Sequence, residues 1–266
     1  MMKIDRVSMT FNQGTPDENQ ALNNVSLDVH DGDFVTVIGS NGAGKTTLYN
    51  AIAGTYTPTE GRIFIRDIDV TRTPEFKRSR YIGRIFQNPL LGTAGKMSLE
   101  DNMVICHKKG YKSLKISLNN KLREYFRSRL RELDMGLENR LKDNVELFSG
   151  GQRQALTLLM AVLSEPAILL LDEHTAALDP RNAEIVMNLT EKFAKEYKLT
   201  VMMITHNMQH ALQYGNRLLM MDSGQIVLDI DSEEKSQLTI DGVVQRFRDI
   251  KKKELANDQL LLCHIR

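Results

Sequence analysis

Residues 39–47 read Gly39-Ser40-Asn41-Gly42-Ala43-Gly44-Lys45-Thr46-Thr47, and the first eight match G-x-x-x-x-G-K-[ST] in full. The glycines let the backbone curl until consecutive N–H groups face phosphate oxygens. A helix that starts here adds its positive end. Lys45 supplies a point charge for the outer phosphates, and the Thr46 hydroxyl is suited to ligate Mg2+. A glycine-rich turn can match by accident, but the setting argues against that. Residues 33–38 (DFVTVI) read as a short buried strand and 46–53 as a helix. That is the strand–loop–helix order a phosphate loop requires. The stretch predicts binding of a nucleoside triphosphate.

Outward from the loop, strands and helices alternate. Residues 4–11 and 25–29 have strand-like alternation, with a polar turn at 12–19 between them. Residues 61–65 and 81–86 suggest two more strands. From 98 to 163 the pattern changes: Leu122, Phe126, Leu130 and Leu133 fall at helical spacing, which predicts a mostly helical insert. Residues 168–171 and 200–204 read as short buried strands with a helix over 181–197 between them. Residues 218–222 and 225–229 flank Ser223-Gly224, a hairpin signal. Near the end, Thr239 is a candidate N-cap, and Val243, Val244, Phe247 and Ile250 share a helical face. Such a helix could pack on its own cassette or meet a second subunit; an apolar stripe at helical spacing favours its own chain, with 260–262 as a candidate part of the same contact. The class is α/β with a largely parallel sheet.

Composition narrows the function classes. The 266 residues are 41% hydrophobic and 26% charged, so a folded core is expected and disorder is not. The net charge of +1 supplies no strong field toward nucleic acid or anionic lipid. Cys106 and Cys263 form no disulfide framework or metal spacing, which fits a reducing compartment. Two apolar runs, 155–163 and 167–171, are separated by Ser164, Glu165 and Pro166, too short to span a bilayer. The N-terminus lacks the apolar core of a signal peptide. A cytoplasmic protein is expected, reaching a membrane only through a partner.

A second chemical element lies at Ile168-Leu169-Leu170-Leu171-Asp172-Glu173. Four apolar residues make a buried strand with two carboxylates at its exposed end. Asp172 is suited to hold Mg2+, as an acid does after the second strand of phosphate-loop enzymes. Glu173 is then placed to polarise an attacking water. Many buried strands end in acids, so this element gains its meaning from the phosphate loop.

The third element, Phe148-Ser149-Gly150-Gly151-Gln152-Arg153-Gln154, could be read alone as a capped helix start. Between a phosphate loop and Asp172-Glu173, it makes the sequence resemble the ATP-binding-cassette (ABC) ATPases, whose signature is LSGGQ. The resemblance runs from about residue 3 to 230. Gln87, in IFQNP, matches the glutamine that contacts Mg2+ and water and senses the membrane partner. Ala177-Leu178-Asp179 matches the D-loop, and His206, in ITHN, the switch histidine at the γ-phosphate. Phe11 stands where the family stacks an aromatic on adenine. Taken singly, Gln87 reads as a surface glutamine, His206 as a strand-end histidine and Phe11 as a core aromatic. Three positions depart from the family pattern: Phe148 for leucine, His174 for the usual proline, and Ala176 for the common serine. None removes a phosphate, metal or base contact.

The resemblance implies an ABC ATPase fold of the P-loop NTPase type. Its parts are a RecA-like, mostly parallel core, an antiparallel β subdomain and a helical subdomain at about 90–165. The cassette would cover 1–230, with a helical extension at 231–266. It implies ATP and Mg2+ as ligands, with Lys45, Thr46, Gln87 and Asp172 organising them, Glu173 as general base and His206 on the γ-phosphate. Two copies would pair head to tail, Ser149, Gly150, Gly151 and Gln152 of one closing on ATP held by residues 39–47 of the other, with Asp179 at the shared site. One cassette without a membrane segment resembles the separate ATPase subunit of an importer. The wording of 87–103, 172–180 and 204–229 resembles the amino-acid-type importers of the tryptophan/tyrosine group. Such systems add membrane permease subunits and, indirectly, an extracytoplasmic substrate-binding protein. The rivals are an exporter subunit, a soluble cassette acting on ribosomes or DNA, and a regulatory module that does not hydrolyse. The basic stretch 108–131 could serve a nucleic acid, but near-zero net charge favours a solvated helical face and no nucleic-acid partner.

Overall fold

The computed structural model describes residues 1–107 and 118–250. In chain order it runs β1 (Met2–Phe11), β2 (Asn19–Val29), β3 (Phe34–Gly39), α1 (Lys45–Ala53), β4 (Glu60–Ile65), β5 (Ile68–Asp69), α2 (Glu75–Arg78) and β6 (Ile82–Ile85). Then follow α3 (Leu99–His107), α4 (Asn120–Arg131), α5 (Gly150–Leu163), β7 (Ile168–Asp172), α6 (Pro180–Glu196) and β8 (Thr200–Ile204). The last elements are α7 (Met208–Gln213), β9 (Arg217–Asp222), β10 (Gln225–Ile230), α8 (Ser232–Ser236) and a helix over 240–250, α9.

Burial explains the two kinds of strand. Along β2, Leu22, Val25, Leu27 and Val29 are buried while their neighbours face out, the alternation of a sheet covered on one face. β3, β7 and β8 are apolar nearly throughout and buried on both faces, as parallel strands between helices must be. Accordingly the described residues form two sheets. β2-β1-β4-β5 is antiparallel; β10-β9-β3-β8-β7-β6 is parallel except for the terminal β9–β10 hairpin. In that hairpin Ser223 and Gly224 have φ of 48° and 77°, the two positive values a type I′ turn needs.

Three buried clusters follow this layout. One joins α3–α6 to one face of the parallel sheet, and a second fills the space between α1, the other face and the antiparallel sheet. The third is small and unites Ile38, Ala211, Leu218, Met220, Ile230 and Val243. It shows the C-terminal stripe on its own chain, with Val243 fully buried and Phe247 packed beside it. Thr239 caps α9 by accepting from the Gly242 N–H at 3.1 Å. The 260–262 run lies outside the described residues, as does Cys263. No helix among the described residues is long and apolar enough to cross a membrane.

The described residues of the insert at 98–163 form helices α3, α4 and α5, as the spacing predicts, with one isolated bridge between Ser98 and Asn144 among them. Three arginines of α4 are spent in pairs. Arg123 binds Glu100 at 2.9 Å, Arg127 pairs with Glu124, and Arg129 binds both Glu132 at 2.9 Å and the Tyr197 hydroxyl at 2.8 Å. These contacts favour the structural reading of α4; residues 108–117 lie outside the described set.

Candidate functional site

The phosphate loop is fixed by close approaches that exclude side chains. Gly39 ends β3 at φ 152°, and a Cβ there would lie 2.2 Å from the Met221 carbonyl of β9. Gly44 is the N-cap of α1 at φ 96°; its Cβ would meet the Ala21 carbonyl at 2.6 Å and Gly224 Cα at 3.3 Å. Gly224 N–H donates to the Ala43 carbonyl (3.1 Å), and Asn23 N–H donates to the Gly224 carbonyl (2.9 Å). The loop is therefore clasped between the antiparallel sheet and the β9–β10 turn. Lys45, only 6% exposed, bends back to donate to the carbonyls of Gly39 (2.7 Å) and Ser40 (2.9 Å). Burial lowers its pKa, against the pull of Glu173 and Asp172.

The carboxylates arrive on β7. Asp172 pairs in register with Ile204 of β8, so the residues after both strands emerge side by side. Glu173 has φ 47°, an unusual conformation for a bulky side chain, held by its N–H donating to the Ile204 carbonyl at 3.1 Å. From the neighbouring strand, His206 places Nε2 2.6 Å from Glu173 Oε1. Burial raises the Asp172 pKa, opposed mainly by Arg84. Arg84 pairs with Leu170 across β6 and β7, which puts it on the Asp172 face of the sheet.

A cavity of about 460 Å³ takes in most of these parts, though Gly39, Ser40 and Asp172 lie off its wall. Its wall includes Phe11, Asn41 to Thr47, Glu173 and His206. Phe11 is half-buried and meets Tyr56 edge-on, ring centroids 5.3 Å apart. Gln20, Ala21 and Ser223 also line the cavity. Sequence reasoning missed these and Asn19, because isolated residues at a strand or turn carry no motif.

Other predicted residues sit outside that wall. Gln87 is exposed just beyond β6. Ser149 N-caps α5 in a closed capping box: its Oγ accepts from Gln152 N–H (3.3 Å), and its own N–H donates to Gln152 Oε1 (3.1 Å). Gly151 lies against α6, where a Cβ would meet Asn182 Oδ1 at 2.7 Å; Gly150 faces Leu178. Asp179 N-caps α6, accepting from Asn182 N–H at 3.1 Å. The signature and the D-loop thus support each other within one subunit, on a surface apart from the cavity. Gln154, fully buried, links α5 to the segment before Gln87 by donating to the Phe86 carbonyl at 3.3 Å. No sequence signal marked it beyond its place two residues after Gln152.

The departures are accommodated. Phe148 is buried under the Arg140 guanidinium, 4.5 Å from the ring centroid. His174 is buried with Nε2 3.2 Å from Thr190 Oγ1. That hydroxyl donates to the Val186 carbonyl (2.8 Å), so the histidine Nε2 carries the hydrogen between them. Burial pushes His174 down to about 3 and keeps it neutral. Ala176 is exposed.

Among the described residues no cluster of three His, Cys, Asp or Glu could cage a metal. The Thr46 hydroxyl and the Asp172 carboxylate are hard oxygen donors. They fit Mg2+, which takes one or two protein oxygens and completes its shell with phosphates and water. Burial is what raises the Asp172 pKa, and a cation bound beside it would favour the charged form.

The sequence family described as ABC transporter matches residues 22–176. The tyrosine transport ATP-binding protein of Clostridioides difficile is 40% identical over 93% of this chain and 98% of its own. The methionine import ATP-binding protein MetN of Streptococcus agalactiae is 31% identical over 91% of this chain and 68% of its own. Among solved structures, the dimeric ATP-binding cassette MJ0796, bound to ADP and Pi in a post-hydrolysis state, superposes with a TM-score of 0.70. It is 28% identical and the match covers 87% of this chain and 99% of that one.

Proposed function

The chain belongs to the ABC transporter family as an ATP-hydrolysing subunit of an import system, and from that premise we propose how its residues divide the work and what they drive. The cavity that unites Phe11, the phosphate loop, Glu173 and His206 carries the reading. Adenine lies against Phe11, and the loop amides and Lys45 hold the phosphates. Lys45 already points inward, held by two loop carbonyls that it can exchange for phosphate oxygens. Thr46 and Asp172, with Gln87 from the loop beyond β6, would hold Mg2+, which would supply positive charge at the outer phosphates. Glu173 orients the attacking water and takes its proton; His206 stabilises charge on the γ-phosphoryl oxygens.

The signature lies off the cavity wall, so its Ser149, Gly150, Gly151 and Gln152 act on ATP held by a second copy, with Asp179 beside them. The dimeric state of MJ0796 supports this arrangement. Membrane permease subunits are the other partner. A groove of about 700 Å³ near Gln87, bordered by exposed Phe76 and Ile105 and by Arg80 and Arg84, suits an amphipathic segment of such a subunit. The protein then works at the inner face of the membrane, below an extracytoplasmic substrate-binding protein. The tyrosine and methionine relatives support an amino acid as cargo.

Glu173→Gln in the full chain, studied by light scattering with ATP, tests the assignment. Stable dimer with phosphate release lost is the expected result; wild-type release would sink it. Co-purification with a membrane subunit tests the permease. ATPase activity stimulated by RNA or DNA, with no membrane subunit recovered, would favour the soluble rival.

A further inference from the structure

We infer that Lys235 is a positioning residue for ATP hydrolysis: it pins the far end of the short helix whose N-cap directly follows His206. The helix is α7, six residues and about 9 Å long. Asn207, immediately after His206, caps its beginning by accepting from His210 N–H at 3.1 Å. At the other end, Lys235 Nζ donates to the carbonyls of Tyr214 and Gly215, the latter at 3.1 Å. It also reaches Thr36 Oγ1 at 3.4 Å. Thr36 is itself fully buried on β3, with its hydroxyl 2.9 Å from the Ala211 carbonyl of α7 and 3.1 Å from the Arg217 carbonyl of β9. One ammonium therefore ties α8, the end of α7 and the strand leading into the phosphate loop.

The chemistry is not that of ordinary packing. Lys235 is 5% exposed, and no ion pair to it is present among the described residues. A methionine of similar length would fill the space without burying a charge. What the ammonium adds is a set of directed bonds and a positive charge at a helix C-terminus. Burial alone pushes its pKa down to about 8. Outside this pin, Val243 and Phe247 of α9 pack with Ala211 and Leu218. The C-terminal segment thereby grips α7 by its end and its flank. Because α7 is so short, freedom at Tyr214 becomes freedom at His206, and His206 must hold a position within reach of Glu173 and the γ-phosphate.

This inference rests on the proposed action of His206 at the γ-phosphate, and the test separates the two. Steady-state ATP hydrolysis by the full chain is measured for Lys235→Met, His206→Ala and the double variant, with ATP affinity measured directly. Lys235→Met is expected to lower kcat about fivefold or more and to leave KM and affinity for ATP within about twofold. In the His206→Ala background the same change is expected to lower kcat by less than about twofold, because the pin acts through that histidine. Hydrogen exchange over 207–214 is expected to quicken while that of 45–53 holds. An unchanged kcat in Lys235→Met, or an equal further loss in the His206→Ala background, overturns the inference. Wild-type turnover by His206→Ala alone sinks the underlying assignment as well. Should Lys235→Met fail to fold, Thr36→Val removes the shared hydroxyl and is expected to show the same kcat-only loss; full kcat there overturns the pin.

Discussion

His206 Nε2 lies 2.6 Å from Glu173 Oε1, a contact made by residues that follow two adjacent parallel strands. The register of Asp172 with Ile204 puts both side chains at one sheet edge, and the left-handed backbone at Glu173 turns its carboxylate toward the histidine. The amide introduced by Glu173→Gln could still meet the imidazole but would be a poor proton acceptor. This substitution should cut phosphate release by roughly 100-fold or more while ATP affinity stays close to wild type. Single-turnover release and equilibrium binding read the two quantities separately.

Gly44 offers a test of the clasp around the loop. At φ 96° an L side chain is strained, and its Cβ would press on the Ala21 carbonyl. Gly44→Ala is expected to lose about 1–3 kcal/mol of stability and to weaken ATP binding. Denaturant titration and calorimetry check this; an alanine protein with wild-type values for both would show that the clasp can relax.

Arg78 tests how the helix after the loop is finished. Its side chain is 1% exposed, and its guanidinium donates to the carbonyls of Ala51 and Ile52 at 2.7 and 2.8 Å, at the end of α1. It also serves Thr71 and Thr73. Arg78→Met leaves four carbonyls without that donor and should cost about 2–4 kcal/mol. The urea midpoint should drop with the m value unchanged.

His174 makes stability depend on acidity. Its folded pKa is about 3, against 6.5 for the exposed group. Between those values the unfolded chain binds a proton that the folded chain refuses. Stability contributed by neutral His174 is therefore whole above about 6.5 and is lost as pH falls toward 3, by up to about 1.4 kcal/mol per pH unit. Urea unfolding of wild type and His174→Gln at pH 7, 6 and 5 should show the wild type losing stability more steeply. Parallel slopes would mean that another group governs the acid limb.

Much of this was legible in the sequence because it rests on local rules. Residues 39–47 carry the loop in their glycines, and the apolar runs at 168–171 and 200–204 are the observed β7 and β8 with one-residue differences at most. The stripe through Val243 and Phe247 foretold its own burial. The missed pieces are short or polar. The helix at 208–213 is too brief for helical periodicity, and 19–24 (NQALNN) becomes strand only by pairing with β1. Gln154, Arg84 and Lys235 escaped notice for another reason. Each is defined by a partner far along the chain, Phe86, Asn50 and Tyr214, and no spacing within a motif reports such meetings.

The strand order has a consequence for how the molecule comes into being. β3 ends in the phosphate loop, yet its two sheet neighbours are β8 and β9, which begin at Thr200 and Arg217. A ribosome that has delivered the loop must translate most of the remaining chain before either flanking strand exists. During synthesis this buried strand stays unpaired, and the pairing it waits for is of the long-range kind that closes slowly. Only a chain complete through the β9–β10 turn has the clasp around the phosphate loop.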